Sequence, residues 1–350
     1  MKSPKAANVP DVTAFISELF SAAGLATDAA HRVAGALVEA DISGRVSHGI
    51  LQADGYLERL VNGTMSTASH PKIISESGGV VVLDAADMEG HLMAEEAMKI
   101  AVAKAREFGI SAVSVRRGYH CGVAGRYVRM AAEQGCAALA MCNSKPVMSA
   151  PGGAERLVGT NPVAIGFPVK DDTPVVFDMA TTEGTIGAIR QKLASGQPLP
   201  DNWALDAMGN PTTDPATALA GFLLPTGGAK GFGLSFVIDL LSGALASGGW
   251  GPTLGEMKGE KPYNASLLFL ALDIRHFRPI DAFLEDARAG VERIRQSKKA
   301  EGTDRLFVPG ERSAEMIATN NGKMTIALPV AEALGARAVQ LKVALPAFLR

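Results

Sequence analysis

Two histidines carry the side chain best matched to proton transfer near neutral pH: His48, in SGRVSHGI, and His120, in GYHCG. A positioned imidazole can give a proton to, or take one from, an oxygen or nitrogen whose neighbouring carbon changes oxidation state. Ser47 precedes His48 and can orient its ring. The commoner fate of a lone histidine is a hydrogen-bonded structural place, and His31, His70, His91 and His276 are read that way. The stretch from Gly152 to Thr182 sets small, hydroxyl and amide residues in two loops beside apolar runs, an arrangement that can cradle a small molecule. Within it, Thr160 and Asn161 stand before Pro162 and offer one hydroxyl and one amide to a carboxylate or a carboxamide; an ordinary Asn-Pro turn is the plain alternative. Asp178, after an apolar run in FDMATT, can accept from the hydroxyls of a ribose or cap the next helix. Lys230, between glycines in GGAKGFG, can meet a pyrophosphate together with backbone N–H groups at a helix start, or simply be a solvated turn lysine.

The elements that must position these groups are legible in the spacing of apolar residues. Asp11 can cap a helix over VTAFISELFSAAGL, and Thr27 and Asp28 can open a second over AAHRVAGALVEADISG, where apolar residues recur three and four apart. A third helix, around LQADGYLERLVNG, follows His48. KIISESGGVVVLDAAD reads as a hairpin. A helix from about Met93 to Phe108 leads into the strand SAVSVRR, and one from about Gly125 to Gln134 leads into AALAMCNS. VAIGFPV and PVVFDMA read as strands, GTIGAIRQKLASG as a helix, and LPDNWALDAMGNPTTDP as a loop rich in turn formers. GFGLSFVIDLLSGALASG predicts a strongly apolar helix, SLLFLALDI a strand, and FRPIDAFLEDARAGVERIRQS an amphipathic helix. The tail alternates loop, helix and strand. The fold class is therefore α/β (α+β).

A chain of 350 residues is long enough for two domains, and 47% hydrophobic with 20% charged residues describes an ordinary globular protein. A formal charge of -2 offers no broad basic field for nucleic acid or anionic lipid. The N-terminus lacks the apolar core of a secretory signal and no apolar run is long enough to span a bilayer, so a cytoplasmic place is expected, with no membrane partner. Cys121, Cys136 and Cys142 show no zinc spacing and are expected to be reduced, Cys136 as core filler. No HExxH pattern or other cluster of ligands at helical spacing suggests a metal. The GxGxxG fingerprint of a Rossmann fold and the phosphate loop GxxxxGK[ST] are both missing, which disfavours a Rossmann fold and ATP chemistry.

The blocks SGRVSHGI, GYHCG, GGAERLVGTNPVAIGFPVKDDTPVVFDMATT and GGAKGFG, in that order, resemble the malate/L-lactate dehydrogenase family of nicotinamide-dependent oxidoreductases, from about Ala23 to about Arg312. The resemblance implies NAD or NADP as cofactor, bound on a mixed, largely antiparallel α/β architecture that is not a Rossmann fold. It implies a small 2-hydroxy acid interconverted with its 2-oxo acid, with His48 or His120 as acid/base. It also implies cofactor contacts from Ser144, Asp178, Met179, Ala180, Thr181, Lys230, Gly231, Gly310 and Glu311, and substrate contacts from Ser47, Tyr56, Thr160 and Asn161. A homodimer is expected, with the helix about residues 231 to 247 contributing to the shared core. The helical, dimer-forming domain is expected to comprise 1–75 and about 225–300, and the cofactor domain 76–224 and about 301–350. The family often has arginine four residues after the SHG histidine, where Gln52 stands here; Lys145 is the candidate for the missing positive charge. Two rival readings remain: a cyclic imine acid reductase with the same site plan, and an inactive relative serving as a binding or assembly module.

Overall fold

The computed structural model describes residues 5–257, 259 and 261–350. A short strand β1 (Lys5–Asn8) enters α1 (Val9–Ala22), where Pro10 in the first turn presets the helical φ. The helix thus begins three residues ahead of the sequence expectation, with Asp11 inside its first turn accepting from the Asn8 side chain at 3.0 Å. α1 buries Val12, Phe15, Ile16, Leu19 and Phe20 against α2 (Thr27–Ile42), whose alanines at 29, 30 and 34 let the two backbones approach. α3 (Ala53–Val61) completes this layer after two single 3₁₀ turns, Val46–His48 and Ile50–Gln52.

The hairpin β2 (Lys72–Ser77) and β3 (Val80–Asp84) turns through Gly78 and Gly79. Then follow α4 (Gly90–Phe108), β4 (Ile110–Gly118), α5 (Ala124–Ala132), β5 (Cys136–Cys142), β6 (Val163–Phe167) and β7 (Val175–Met179). Next come α6 (Ile186–Ser195), β8 (Ala204–Leu205), α7 (Pro215–Ala220), β9 (Phe222–Leu223), α8 (Ala229–Asp239) and β10 (Ala265–Asp273). The chain ends through α9 (Ile280–Arg295), α10 (Glu311–Ala318), β11 (Lys323–Ile326) and α11 (Leu328–Leu341). The main sheet runs β2-β3-β4-β10-β5-β6-β7, antiparallel throughout except for the β3/β4 pair, which α4 connects.

β10 lies at the centre of this sheet, between β4 and β5, so the stretch 225–300 expected with the helical part supplies a core strand. The residue alternation along β10 explains why. Leu267, Phe269 and Ala271 face the large core shared with the N-terminal helices, α4 and α5, while Leu268 faces the opposite side against Ile238 of α8. Both faces are buried, which is why SLLFLALDI is almost uninterruptedly apolar. β11 pairs antiparallel with β1 in a second, two-stranded sheet. The turn-rich loop is also more ordered than its composition implies: β8 pairs with β9, and Asp214 caps α7 by accepting from the Thr217 N–H at 2.8 Å. The apolar helix expected to 248 stays α-helical only to Asp239 and widens into a π turn over Leu240–Ala244. All three cysteines are free thiols, with Cys136 fully buried.

Candidate active site

The two candidate histidines come from different layers and meet. His48 closes the 3₁₀ turn after α2, His120 follows the end of β4, and their rings stack with centroids 5.4 Å apart and 27° between planes. Both rings are only partly exposed. Each has its Nδ1 engaged by a hydroxyl: Ser47 Oγ lies 2.9 Å from His48 Nδ1, and the Tyr56 phenol pairs with His120 Nδ1. Burial keeps the Tyr56 phenol protonated, far above its usual range, so Tyr56 donates and His120 Nδ1 accepts. That fixes the His120 tautomer with its proton on Nε2. Burial also lowers the proton affinity of both rings, that of His48 to about 4, with the Arg45 charge and His91 adding to the effect. Burial likewise holds His120 well below its usual range, and His48 and His91 add to it. Near neutral pH both are uncharged bases.

Residues without a legible signal hold this turn in place. Asp41, in the last turn of α2, accepts from the Ile50 N–H at 2.7 Å, and a Cβ at Gly49 would sit 2.3 Å from its carboxylate; only glycine fits there. Gln52 donates to the Ser47 carbonyl at 2.8 Å, so its amide is committed to the backbone. Behind Tyr56, His91 and Glu89 form a buried pair at 2.7 Å, and the Glu89 carboxylate caps α4. His91 thus has the structural place the sequence reading gave it. Asp41 lies in no motif because it acts on a backbone group nine residues on, and Glu89 caps α4 locally where serine, threonine, aspartate or asparagine is the usual signal.

The loop residues divide into engaged and open. Asn161 is fully buried; its carbonyl accepts from the Ser144 N–H at 2.9 Å and its amide donates to the Ser235 carbonyl at 3.0 Å. It ties the end of β5 to α8. Thr160 keeps a partly exposed hydroxyl 3.2 Å from Ser144 Oγ, and its carbonyl accepts both the N–H and the hydroxyl of Thr181 at 2.9 Å. Asp178 does cap a helix, though not the next one: its carboxylate accepts from the Gly125 N–H at 2.8 Å at the start of α5, whose Cβ-less Gly125 admits it. Met179 and Ala180 follow it, half-buried, where β7 leaves the sheet edge. Glu311 is held by Arg295 at 3.1 Å and Arg305 at 2.5 Å and accepts from the Val308 N–H at 3.0 Å, while Gly310, at a φ of 91°, brings this loop onto Val176 of β7. Lys145 is half-exposed and paired with Glu256 at 2.5 Å. Lys230 is exposed at the first turn of α8. Among the described residues, no group of three or more histidine, cysteine or acidic side chains is arranged to hold a metal.

Stacked neutral imidazoles, one with its tautomer fixed by a phenol, have the chemistry to carry a proton, and the glycine-rich start of α8 has the open backbone to face an anion. A family model described as malate/L-lactate dehydrogenase matches residues 8–334. A malate dehydrogenase of Pyrococcus horikoshii is 34% identical over 326 residues, covering 90% of this chain and 89% of that protein. Malate dehydrogenase from Entamoeba histolytica superposes with a TM-score of 0.93 at 27% identity, over 98% of this chain and 100% of that one. The delta1-piperideine-2-carboxylate reductase from Pseudomonas syringae pvar. tomato does so with a TM-score of 0.85 at 27% identity, over 95% of this chain and 100% of that one. The chain belongs to the malate/L-lactate dehydrogenase family and is an oxidoreductase.

Proposed function

We propose that the protein interconverts a small 2-hydroxy acid and its 2-oxo acid with NAD or NADP, using the His48 and His120 pair as its acid/base group. The observation that carries this reading is the stacked pair itself, with both Nδ1 atoms occupied and both rings neutral near pH 7. In the direction of oxidation, a neutral imidazole takes the hydroxyl proton as the carbon gives up its hydrogen; in reduction, the protonated ring returns it.

The residues present fit a dinucleotide. Gly227 and Gly228 have φ of 62° and 65° with nothing within 4 Å of the space a Cβ would fill, so the backbone at the start of α8 is open to an anion. Gly231 presses that helix onto the Thr226 and Thr181 carbonyls, where a Cβ would lie 2.2 and 3.0 Å away. The helix N-terminus and the exposed Lys230 would hold a pyrophosphate. Ser144, Thr160 and the Asp178–Thr181 segment would line the nicotinamide and ribose side, with Gly310 and Glu311 bracing β7 behind them. When bound, the nicotinamide supplies or accepts the hydride. Ser47 and Tyr56 orient the two imidazoles, and Asn161 holds the loop that carries Thr160.

The likeness to a piperideine-carboxylate reductase supports a second reading, reduction of a cyclic imine acid, in which the same imidazole protonates nitrogen instead of oxygen. A panel of 2-oxo acids and cyclic imine acids with NADH and NADPH, followed at the nicotinamide absorbance, tests both. Turnover of 2-oxo acids is expected; an amino-acid product from imines alone would favour the second reading, and no turnover of either would favour an inactive relative. We further propose a homodimer whose shared core includes the apolar face of α8.

A further inference from the structure

We propose that Arg45 is the cation that grips the substrate carboxylate beside the imidazole pair, a specificity role that rests on the reaction proposed above. Arg45 opens the 3₁₀ turn Val46–His48, and the His48 N–H donates to its carbonyl at 2.8 Å. Arg45 lies just outside the turn with non-helical backbone, φ -99° and ψ 47°, so that Arg45 and His48 stand at the two ends of one turn closed by that bond. The Arg45 side chain is exposed and makes no hydrogen bond or ion pair with the described residues. Its charge nonetheless reaches His48, where it adds to the lowering that burial causes, and Asp178, where it opposes the rise that burial causes.

Two other cations of the loops, Lys145 and Lys230, are differently disposed. Lys145 is neutralised by Glu256, and Lys230 stands at the start of α8 with the proposed pyrophosphate cradle. Gln52, one turn beyond His48, is tied to the Ser47 carbonyl. A carboxylate brought against two neutral imidazoles would lose hydration without compensation unless a cation met it there. A guanidinium does so with two parallel hydrogen bonds, which also fix the acid's orientation and aim its 2-carbon substituent at the rings.

The test is Arg45→Ala and Arg45→Lys, with five readouts. The KM for the 2-oxo acid is expected to rise about 10- to 100-fold in R45A, the range of a lost charged hydrogen bond, while nicotinamide fluorescence titration gives an unchanged cofactor Kd. Added free guanidinium ion should restore part of the loss in R45A. In the protein without cofactor, oxalate should raise the Tm of wild type and not of R45A, and histidine NMR should find His48 titrating higher in R45A than in wild type. R45K keeps the charge and should fall between the two, which retains a folded comparison if R45A is unstable. A KM within twofold of wild type, or equal oxalate protection in both, overturns the proposal. If wild type turns over no acid on the panel yet oxalate protection disappears in R45A, the anion site stands and the reaction reading falls.

Discussion

At the scale of single residues, the consequential quantity is the proton affinity of two imidazoles. A histidine in water titrates near 6.5, whereas burial and the Arg45 charge take His48 to about 4. For oxidation of a hydroxy acid the ring must be unprotonated. The rate constant kcat/KM, which reports the free enzyme, is therefore expected to stay level from neutral pH down to about 5 and to drop only on approach to 4. An acid limb centred at 6.5 would show that the catalytic base is not this histidine. Replacing either His48 or His120 by alanine should lower kcat by roughly 10²- to 10⁴-fold with cofactor affinity unchanged, measured by steady-state kinetics and fluorescence titration. Tyr56→Phe removes the donor to His120 Nδ1 and frees the tautomer, and a fall in kcat of about fivefold is expected from one lost hydrogen bond of order 1 kcal/mol. An unchanged kcat would mean that the phenol merely fills space.

At the scale of elements, the junction of α2 with the turn that follows decides where His48 points. Asp41 is buried enough that its carboxyl is raised to about 6, and it titrates against His48 in its effect on stability. Between 4 and 6.5 the unfolded state binds more protons at His48 than the folded one does, so this histidine makes stability fall as the solution is acidified. Between 3.8 and 6 the folded state binds more protons at Asp41, so this group makes stability rise on acidification. Asp41→Asn removes the second contribution and should therefore lose stability more steeply than wild type between pH 7 and pH 4.5, read from urea midpoints. Parallel curves for the two proteins would contradict the account. A similar argument applies where α5 begins: Asp178→Ala leaves the Gly125 N–H without its acceptor and should destabilise the protein by about 1 kcal/mol, apart from any effect on cofactor binding.

At the scale of the whole molecule, α8 and the π turn after it are apolar on two sides. One side packs Ile238 on the sheet against Leu268, Met141 and Val163. The other leaves Leu234, Phe236, Val237, Leu240, Leu241, Leu245 and Trp250 exposed, Leu245 at 61%. A run of this kind along one segment is the pattern by which interaction surfaces differ from scattered surface leucine, and it supports the proposed dimer. If a second copy covers it, as proposed, Leu245→Glu should shift the protein from dimer to monomer in analytical ultracentrifugation, with its far-UV circular dichroism intact. A dimer of unchanged stability would relocate the interface. No described helix is long and apolar enough to cross a membrane.

The sequence by itself determined most of the elements and named the candidate residues of the site. Helical spacing of Val12, Phe15, Ile16, Leu19 and Phe20, the Gly78-Gly79 turn, and the apolar run of β10 follow from local periodicity, which a linear chain displays. The pairing of His48 with His120, the Tyr56 donor and the Asp41 anchor did not, since each joins groups far apart in the chain and depends on which faces pack. The same holds for β10 entering the sheet between β4 and β5, because an apolar strand states that both its faces are buried without stating by what. Tertiary structure also sorted look-alike polar residues. Asn161 and Glu311 are bound into the scaffold, whereas Thr160, Lys230 and Arg45 remain open, and burial and available partners, not residue type, made that division.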